Sequence, residues 1–257
     1  MENINACIDF RYGKIIYNKL DQYVGKSLEL YGEFSQGEAE IFDKIIRPGD
    51  CVVECGANIG SHTVHLAQAV GNDGVVWAFE PQRLVFQLLA GNVAINGLTN
   101  VHCEQKCISE RGGVVKVPVL DVSKINNWGG VSLEHTTEGE PVDVITLDSL
   151  GLNRCDFLKL DVEGMELNVL KGAKNLVKKF QPIIYAEADR LEKRKDLFAW
   201  LRKKGYKIFP HNPPLFNPEN YFHNSQNVFG RIVSINVLCL PPNNSRINFE
   251  GVEEIFE

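Results

Sequence analysis

The 257-residue sequence contains no apolar run that approaches the roughly 18 residues needed to cross a bilayer. Polar residues follow Met1 directly, which is not the pattern of a secretory signal peptide. We therefore expect a cytoplasmic protein without a membrane span. An excess of basic residues is absent as well, since 27 Lys and Arg stand against 33 Asp and Glu, for a net charge of −6. Because binding to a nucleic-acid backbone depends on lysine and arginine, this balance argues against nucleic acid as the main partner.

The seven cysteines do not form the pattern of a disulfide framework or of a zinc site. Their number is odd, and most of them lie within apolar runs. The pairs Cys51/Cys55 and Cys103/Cys107 fall in predicted strands, whereas zinc ligands are typically held in tight loops. We therefore predict buried free thiols in a reducing compartment.

Short apolar runs alternate with helical patterns through most of the chain. Several of the runs lack polar alternation, as is typical of parallel strands buried on both faces. Strand and helix in alternation indicate right-handed crossovers and an α/β fold with a doubly wound, mostly parallel sheet. The predicted strands are 51–55, 75–79, 101–105, 157–161 and 183–187, and the predicted helices are 60–70, 82–96, 164–180 and 190–204.

Both ends of the chain and one internal segment depart from this alternation. Residues 5–18 alternate around Gly13 and predict a hairpin, so we divide the chain into an N-terminal hairpin and lead-in (1–34) and a main domain (35–257). Ser35 to Glu38 match a capping box at the start of a helix.

The internal segment 112–147 is predicted to be an insertion with short strands at 114–117 and 142–146. Near the C-terminal end, 206–209 and 234–240 predict a closing antiparallel pair of strands. The loop between them, about 210–233, is predicted to cover the substrate, because long structureless loops are uncommon away from functional sites.

The most informative segment is VECGANIGSHT (53–63), which runs from a strand through a glycine turn into a helix. Gly56 allows a ligand to approach the backbone closely, and the helix that starts near Gly60 offers free N–H groups to an anionic group. Glu80 ends the next strand, where a carboxylate can accept hydrogen bonds from both hydroxyls of a ribose. These residues predict a nucleoside cofactor across the carboxyl ends of the two strands.

The turn also indicates which nucleoside binds. The pattern is E-x-G-x-x-x-G, and neither the dinucleotide pattern G-x-G-x-x-G nor a P-loop is present. Glu54 at the strand tip would repel a phosphate and attract an ammonium. S-adenosylmethionine has an ammonium, a carboxylate and a ribose, so we predict it as the cofactor, with its carboxylate near 56–61 and its amine near Glu54 or Asp161. The predicted cofactor-binding residues are Glu54, Gly56, Ala57, Asn58, Gly60, Ser61, Glu80, Pro81, Cys107 and Asp161.

Five segments in order resemble the FkbM family of S-adenosylmethionine-dependent methyltransferases: ELYGEFSQGEAEIFDKIIRPGDCVVECGANIGSHT, VWAFEPQ, ITLDSL, FLKLDVEGMELNVLKGA and QPIIYAE. The similarity runs from about residue 28 to about residue 190, and Asp-Val-Glu-Gly at 161–164 distinguishes it from other methyltransferases. The resemblance implies the seven-stranded, Rossmann-like fold of class I methyltransferases and methyl transfer, usually to oxygen. Glu54 and Cys55 stand where Asp and Val are common in the family.

Methyl transfer to a hydroxyl needs an aligned nucleophile and a group that removes its proton. Carboxylates follow the predicted strands 157–161 and 183–187, and we assign catalytic roles to Asp161, Glu163 and Asp189, with Glu187 as a further candidate. Asp161 is predicted to contact the methionine end of the cofactor or the acceptor, and Glu163 to face the acceptor. Four carboxylates could also hold a divalent cation, but no spacing demands it, and we predict no metal.

The predicted acceptor is a small molecule that carries a hydroxyl, such as a sugar, a glycan or lipid precursor, or a secondary metabolite. Carboxylate and nitrogen acceptors stay open, and so do two other functions: a nicotinamide-dependent dehydrogenase and a non-catalytic cofactor-binding protein. Nothing in the sequence predicts the oligomeric state.

Aromatic and histidine side chains add candidates for the acceptor pocket. We predict that aromatic residues of the 210–233 loop line it and that loop histidines could reach the acceptor, whereas the two histidines of the first predicted crossover helix are ordinary helix residues. The aromatic residues are Phe216, Tyr221 and Phe222, the loop histidines are His135, His211 and His223, and the helix histidines are His62 and His65.

Overall fold

The computed structural model describes residues 3–134, 136–247 and 254–255. The strands are β1 (Asn5–Phe10), β2 (Gly13–Asn18), β3 (Cys51–Cys55), β4 (Val75–Phe79), β5 (Val101–Glu104), β6 (Cys107–Ile108), β7 (Gly113–Val117), β8 (Glu140–Ile145), β9 (Phe157–Leu160), β10 (Ile183–Glu187), β11 (Lys207–His211) and β12 (Asn236–Leu240). The helices are α1 (Val24–Tyr31), α2 (Gln36–Ile45), α3 (Ser61–Val70), α4 (Arg83–Ile95), α5 (Glu166–Lys171), α6 (Lys174–Phe180) and α7 (Leu191–Lys203), with a short 3-10 helix at Leu147–Leu150.

Seven strands form the central sheet in the order β11-β12-β10-β9-β3-β4-β5. The pairs from β10 to β5 are parallel, and β12 runs antiparallel to both β10 and β11. The structure therefore confirms the predicted doubly wound, mostly parallel sheet of seven strands with a closing antiparallel pair.

The sheet is buried on both faces because its strands are apolar at consecutive positions. In β3 all five residues are buried, and Val52 and Val53 belong to the cores on opposite faces. One core packs α5, α6 and α7 against the sheet, and the other packs α2, α3 and α4. This packing on both faces fixes the positions of the strand ends, and therefore of the polar side chains at the carboxyl edge of the sheet.

Two local predictions differ from the structure. The Ser35 hydroxyl does not cap α2; it donates to the Glu38 carboxylate at 2.8 Å, because Ser35 has a positive φ of 47° that turns its side chain away from the helix N–H groups. The predicted helix 164–180 is two helices, α5 and α6. At the break, a Cβ on Gly172 would lie 2.1 Å from the carbonyl oxygen of Ser109, so the chain passes too close to its neighbour for a larger residue.

Two smaller units flank the sheet. The β1-β2 hairpin is joined to α4 by Asn92, whose amide exchanges two hydrogen bonds with the backbone of Ile16, at 2.6 and 2.9 Å. Strands β6, β8 and β7 form a three-stranded sheet, which extends beyond the predicted insertion 112–147 to include β6. All seven cysteines lie in the described ranges and are free thiols; five are buried, as predicted, whereas Cys103 is partly buried and Cys7 is exposed on β1. No helix within those ranges is long and apolar enough to cross a membrane.

Candidate active site

The carboxyl ends of β3, β4, β9 and β10 lie along one edge of the sheet. At this edge the turn after β3 packs tightly against the end of β9. Gly56 has a positive φ of 83°, and a Cβ on it would lie 1.8 Å from the backbone oxygen of Asp161. Only glycine fits here, and its absence of a side chain brings the β3 turn against the end of β9.

A cleft with a volume of about 580 Å³ opens above this edge. A second, smaller and mainly apolar pocket continues from it between the sheet and the three-stranded sheet, and is lined by Phe79, Pro81, Cys107, Ile108 and Met165. The cleft and the apolar pocket share Gly56, Glu80 and Asp161 in their walls. They therefore form one continuous space along the strand ends.

Most of the predicted cofactor-binding residues line this space. Glu54, Gly56, Ala57, Asn58, Ser61, Glu80 and Asp161 line the cleft, and Pro81 and Cys107 line the apolar pocket. Gly60 lies in the turn with a positive φ of 88°, and a Cβ on it would lie 2.8 Å from the Leu89 side chain. Its role is therefore to let the turn pack on α4.

Glu80 is the buried carboxylate at the junction of the cleft and the apolar pocket. Its side chain is 4% exposed and accepts the backbone N–H groups of Asn58 at 3.1 Å and Gln82 at 2.9 Å. Burial raises the pKa of Glu80 to about 7, and the two backbone N–H groups oppose that rise. These N–H groups fix the orientation of the carboxylate, and each oxygen keeps a further lone pair for a ligand hydroxyl.

A buried lysine that the sequence analysis missed lies beside the predicted ammonium-binding groups. The Lys159 ammonium is 3.1 Å from Asp161 and 3.6 Å from Glu54. Glu54 is 1% exposed and also accepts the Thr63 hydroxyl at 2.6 Å. Burial raises the pKa of Glu54, and the charge of Lys159 opposes the rise. Asp161, whose side chain is 42% exposed, is therefore the carboxylate of this group that a ligand reaches.

Three carboxylates lie together beyond Lys159. Asp161, Glu163 and Glu187 each have an oxygen within 4.8 Å of the others, a spacing at which a divalent cation could also be held. Glu163 accepts a hydrogen bond from Arg190 at 2.7 Å, and Asp189 lies 3.4 Å from the same guanidinium. The structure thus brings together the predicted catalytic residues and adds Arg190 as their counter-ion.

The electrostatics of the three carboxylates differ. Burial raises the pKa of Glu163 to about 7, with a contribution from Asp161 that Arg190 opposes. Burial and the surrounding carboxylates raise the pKa of Glu187 to about 10. The Oε2 atom of Glu187 is buried and has no hydrogen-bond partner among the residues that the structure describes. The shift therefore favours the protonated form of Glu187 at neutral pH.

The predicted aromatic lining of the cleft is wrong. Phe216 packs against Tyr31 at 5.3 Å, and the rings of Tyr221 and Phe222 cover Gly32. Because α1 offers these rings an apolar surface, the middle of the segment between β11 and β12 folds onto α1. The two ends of that segment line the cleft instead, with Leu215, Ile232, Val233, Ser234 and Ile235.

The histidines divide differently from the prediction. His211 forms a hydrogen bond with the Tyr185 hydroxyl at 2.8 Å, His223 is exposed, and His135 lies outside the described residues. His62, predicted to be an ordinary helix residue, is buried and lines the cleft. The sequence carried a signal for it, since it follows the glycine turn by two residues.

The chain matches the family model described as the Methyltransferase FkbM domain over residues 54–208, which is more than half of its length. The chain belongs to the FkbM methyltransferase family. This confirms the resemblance found in the sequence, and it favours methyl transfer over the dehydrogenase alternative.

The sequence identity to individual relatives is low, at 27% for the two described here. The chain is 27% identical over 165 residues to Methyltransferase sdnD of Sordaria araneosa, a match that covers 47% of this chain and 59% of that protein. It is 27% identical over 176 residues to Methyltransferase 1 of Beauveria bassiana (strain ARSEF 2860), covering 58% and 70% of the two chains.

A solved structure shows the same fold. Methyltransferase FkbM from Methylobacillus flagellatus KT superposes with a TM-score of 0.50 and 19% identity, over 85% of this chain and 55% of that one. The chain thus spans less than two thirds of sdnD and of the M. flagellatus protein. The Rossmann-like class I methyltransferase fold is confirmed.

Proposed function

We propose that this protein transfers a methyl group from S-adenosylmethionine to a hydroxyl of a small-molecule acceptor. The observation that carries the proposal is the continuous space along the strand ends, in which Glu80 and the carboxylates Asp161, Glu163 and Glu187 share one cleft. Membership of the FkbM methyltransferase family supports the reaction class. The acceptor classes we favour are a sugar, a glycan or lipid precursor, and a secondary metabolite.

The residues present fit the cofactor in three parts. The apolar pocket beside Pro81 and Cys107 suits a nucleobase, and Glu80 at its entrance suits the two ribose hydroxyls. Gly56 lies in the walls of both the cleft and the apolar pocket, where its close approach to the Asp161 backbone brings the β3 turn beside Asp161. Asp161, the exposed carboxylate of the group around Lys159, suits an ammonium.

When bound, S-adenosylmethionine supplies a methyl group on a positively charged sulfur, and the chain provides alignment and a base. We assign the base to Glu163, because it faces the cleft and its pKa of about 7 lies near the operating pH, where a general base is most effective. Arg190 holds the Glu163 carboxylate in place at 2.7 Å. Glu187 and Asp189 complete the wall that faces the acceptor.

A labelled-methyl experiment tests this proposal. The protein is incubated with S-adenosylmethionine that carries a deuterated methyl group, together with fractionated metabolite extract, and products are sought by mass spectrometry. We expect a labelled product whose fragmentation places the methyl on oxygen. Calorimetry with S-adenosylhomocysteine and with NAD accompanies the experiment. Binding of NAD alone contradicts the proposal, and binding of S-adenosylhomocysteine without any labelled product indicates a non-catalytic protein.

A further inference from the structure

Glu38 is a buried carboxylate in the wall of the cleft that the proposed function does not use. It lies in the first turn of α2 and is 5% exposed. Two hydrogen bonds reach its side chain from the part of the chain that the structure describes, from the Ser35 hydroxyl at 2.8 Å and the Asn236 amide at 3.1 Å, and both go to Oε1. The second oxygen, Oε2, therefore keeps its lone pairs for a donor group in the cleft.

The order of the strands places Glu38 with the residues that we propose for the acceptor. Asn236, which holds Glu38, is the first residue of β12 and the register partner of Glu187 on β10. Strands β10 and β9 lie between β12 and β3. Because adjacent strands are about 4.8 Å apart, β12 lies roughly 14 Å from β3 and farther from β4. The strand that carries Asn236 is thus separated from the strands that carry the proposed ribose and turn residues.

The wall of the cleft contains more negative than positive groups. It has seven carboxylic side chains and two cationic ones, Lys159 and Arg190. His62 in the same wall adds no charge, because burial lowers its pKa to about 3. An excess of one sign in a cleft attracts ligands of the opposite sign and repels those of the same sign. A cationic acceptor is therefore favoured over an anionic one such as a sugar phosphate.

Glu38 has no cation of its own. Both cations of the cleft are paired with other carboxylates, Lys159 with Asp161 and Glu54, and Arg190 with Glu163 and Asp189. Lys159 also attracts Glu38, but from beyond ion-pair distance, and no other cationic side chain of the described ranges pairs with it. Because a buried carboxylate is costly without a paired cation, a cationic group of a ligand would be bound strongly here.

An ammonium fits this end of the cleft better than a hydroxyl does. Asn236 gives its amide hydrogens to Glu38 and to the Tyr185 hydroxyl, so its Oδ1 is left as an acceptor like Oε2 of Glu38. An ammonium has three donors and no acceptor, and its hydrogen bond to a carboxylate is roughly twice as strong as a neutral one. The ammonium of the cofactor is already assigned to Asp161, so the group at Glu38 belongs to the acceptor.

We propose that the acceptor is an amino alcohol, such as an amino sugar, whose ammonium binds Glu38 while its hydroxyl is methylated. The inference rests on the proposed function and narrows its acceptor to a compound with a positive charge. The hydroxyl oxygen bonds to the methyl carbon as the carbon–sulfur bond breaks, the sulfur keeps the electron pair, and Glu163 takes the hydroxyl proton. The ammonium keeps its proton beside the Glu38 carboxylate and is not a nucleophile.

Separation of a metabolite extract by charge tests the acceptor class without any variant. At pH 7 the extract is divided into a fraction retained by a cation exchanger, one retained by an anion exchanger and one retained by neither. Each fraction is then incubated with the protein and S-adenosylmethionine that carries a deuterated methyl group. We expect labelled product from the cation-exchange fraction, with the methyl on oxygen. N-acetylation of that fraction, which removes the charge of its amines, abolishes the product.

Glu38→Gln tests the residue. Glutamine keeps the size of the side chain and an oxygen that accepts from Ser35 and Asn236, and it removes the charge. We expect the KM for the amino acceptor to rise at least tenfold, while kcat and the affinity for S-adenosylhomocysteine change less than twofold. The matched control is Glu40→Gln on the exposed face of α2, which changes none of the three. If Glu38→Gln does not fold, the separated extract still decides the acceptor class.

Other outcomes overturn the inference. Labelled product from the neutral or anion-exchange fraction alone, or product that persists after N-acetylation, contradicts the amino acceptor and leaves the proposed function standing. If no fraction gives a labelled product, the proposed function itself is wrong. An unchanged KM in Glu38→Gln shows that the ammonium binds elsewhere. A loss of affinity for S-adenosylhomocysteine in this variant, with the KM for the acceptor unchanged, assigns Glu38 to the cofactor.

Discussion

The two halves of the cleft are built in different ways. On the proposed cofactor side, Glu54 lies in β3, while Gly56 and Glu80 follow β3 and β4 directly. The positions of all three are set by a sheet that is buried on both faces. On the side that we propose for the acceptor, the wall comes from segments far apart in the chain: Tyr23 and Val24 at the start of α1, Asn127 and Gly130 in the segment before β8, and Leu215, Ile232 and Val233 between β11 and β12. One half of the cleft is therefore formed by residues at or next to strand ends, and the other half is formed by tertiary contacts between distant segments.

This difference has a functional consequence. A cofactor common to many enzymes can be held by a fixed edge of the sheet, whereas acceptors differ and are met by loops that tolerate change. Ile232 and Val233 are 44% and 42% exposed at the mouth of the cleft, although both are large and apolar. We therefore expect cofactor-side changes to alter affinity for the cofactor and acceptor-side changes to alter only the steps that involve the acceptor.

The largest expected effect lies where the two halves meet. Glu163→Gln removes the base while keeping the size of the side chain and a polar contact to Arg190. We expect turnover to fall about 10²–10⁴-fold, the usual contribution of a general base, with affinity for S-adenosylhomocysteine changed less than twofold. The measurement is the initial rate of S-adenosylhomocysteine formation with the acceptor found by mass spectrometry.

The exposed Glu192 on α7 provides the control variant, Glu192→Gln, with unchanged turnover. If Glu163→Gln lowers the melting temperature as strongly as it lowers turnover, Glu163 is structural.

On the cofactor side alone, Glu80→Ala should weaken the binding of S-adenosylhomocysteine by about 1–3 kcal/mol, or roughly 5–150-fold, because ribose hydroxyls lose a charged acceptor. The KM for the acceptor should stay within twofold of the natural value, since Glu80 is assigned to the cofactor. Calorimetry and steady-state kinetics check the two parts. Unchanged affinity contradicts the assignment of Glu80 to the ribose.

The same contrast explains what the sequence could predict. The strand ends at Glu54 and Glu80 were identified because a buried strand, a turn residue and an acid are consecutive in the chain. Lys159 was missed because it stands in an apolar strand, and only the register of β9 against β3 shows that it pairs with Glu54.

The acceptor-side aromatics were misplaced for a related reason. The aromatic composition of the loop predicts that Phe216, Tyr221 and Phe222 pack against the rest of the protein. It does not predict which surface they contact. Their partners are Tyr31 at the end of α1 and Gly32 directly after it, more than 180 residues away in the chain. A single sequence carries no direct signal for a contact of that kind.

A third prediction concerns stability on the acceptor side. Glu187 has a folded-state pKa near 10 against its ordinary value of 4.5, so the native protein holds a proton there that the unfolded chain releases. Stability is therefore lost as pH rises above about 5, because the unfolded state binds fewer protons throughout that range. Glu187→Gln, which mimics the protonated form, should raise the melting temperature of the ligand-free protein at pH 8 by about 2–4 °C, or roughly 1 kcal/mol.

That gain should disappear below about pH 3.5, roughly one unit under the ordinary pKa of 4.5, where natural Glu187 is protonated in both states. Thermal unfolding over a series of pH values checks this, with Glu192→Gln as the variant that shows no pH-dependent gain. A Glu187→Gln protein that is less stable at pH 8 than the natural one would mean that the carboxylate has a stabilising partner.

The smallest effect separates the two parts of the segment between β11 and β12. Ile232→Ala removes apolar surface from the mouth of the cleft and should raise the KM for the acceptor about threefold, since the side chain is only partly buried and each buried methylene contributes about 0.8 kcal/mol at most. Phe222→Ala, at a residue that is similarly exposed but packs on Gly32, should leave that KM within twofold of the natural value. Affinity for S-adenosylhomocysteine should not change in either variant, because both residues lie away from β3 and β4. A larger KM increase for Phe222→Ala than for Ile232→Ala would show that the loop aromatics contact the acceptor. It would contradict the interpretation that only the ends of this segment line the acceptor site while its middle packs on α1.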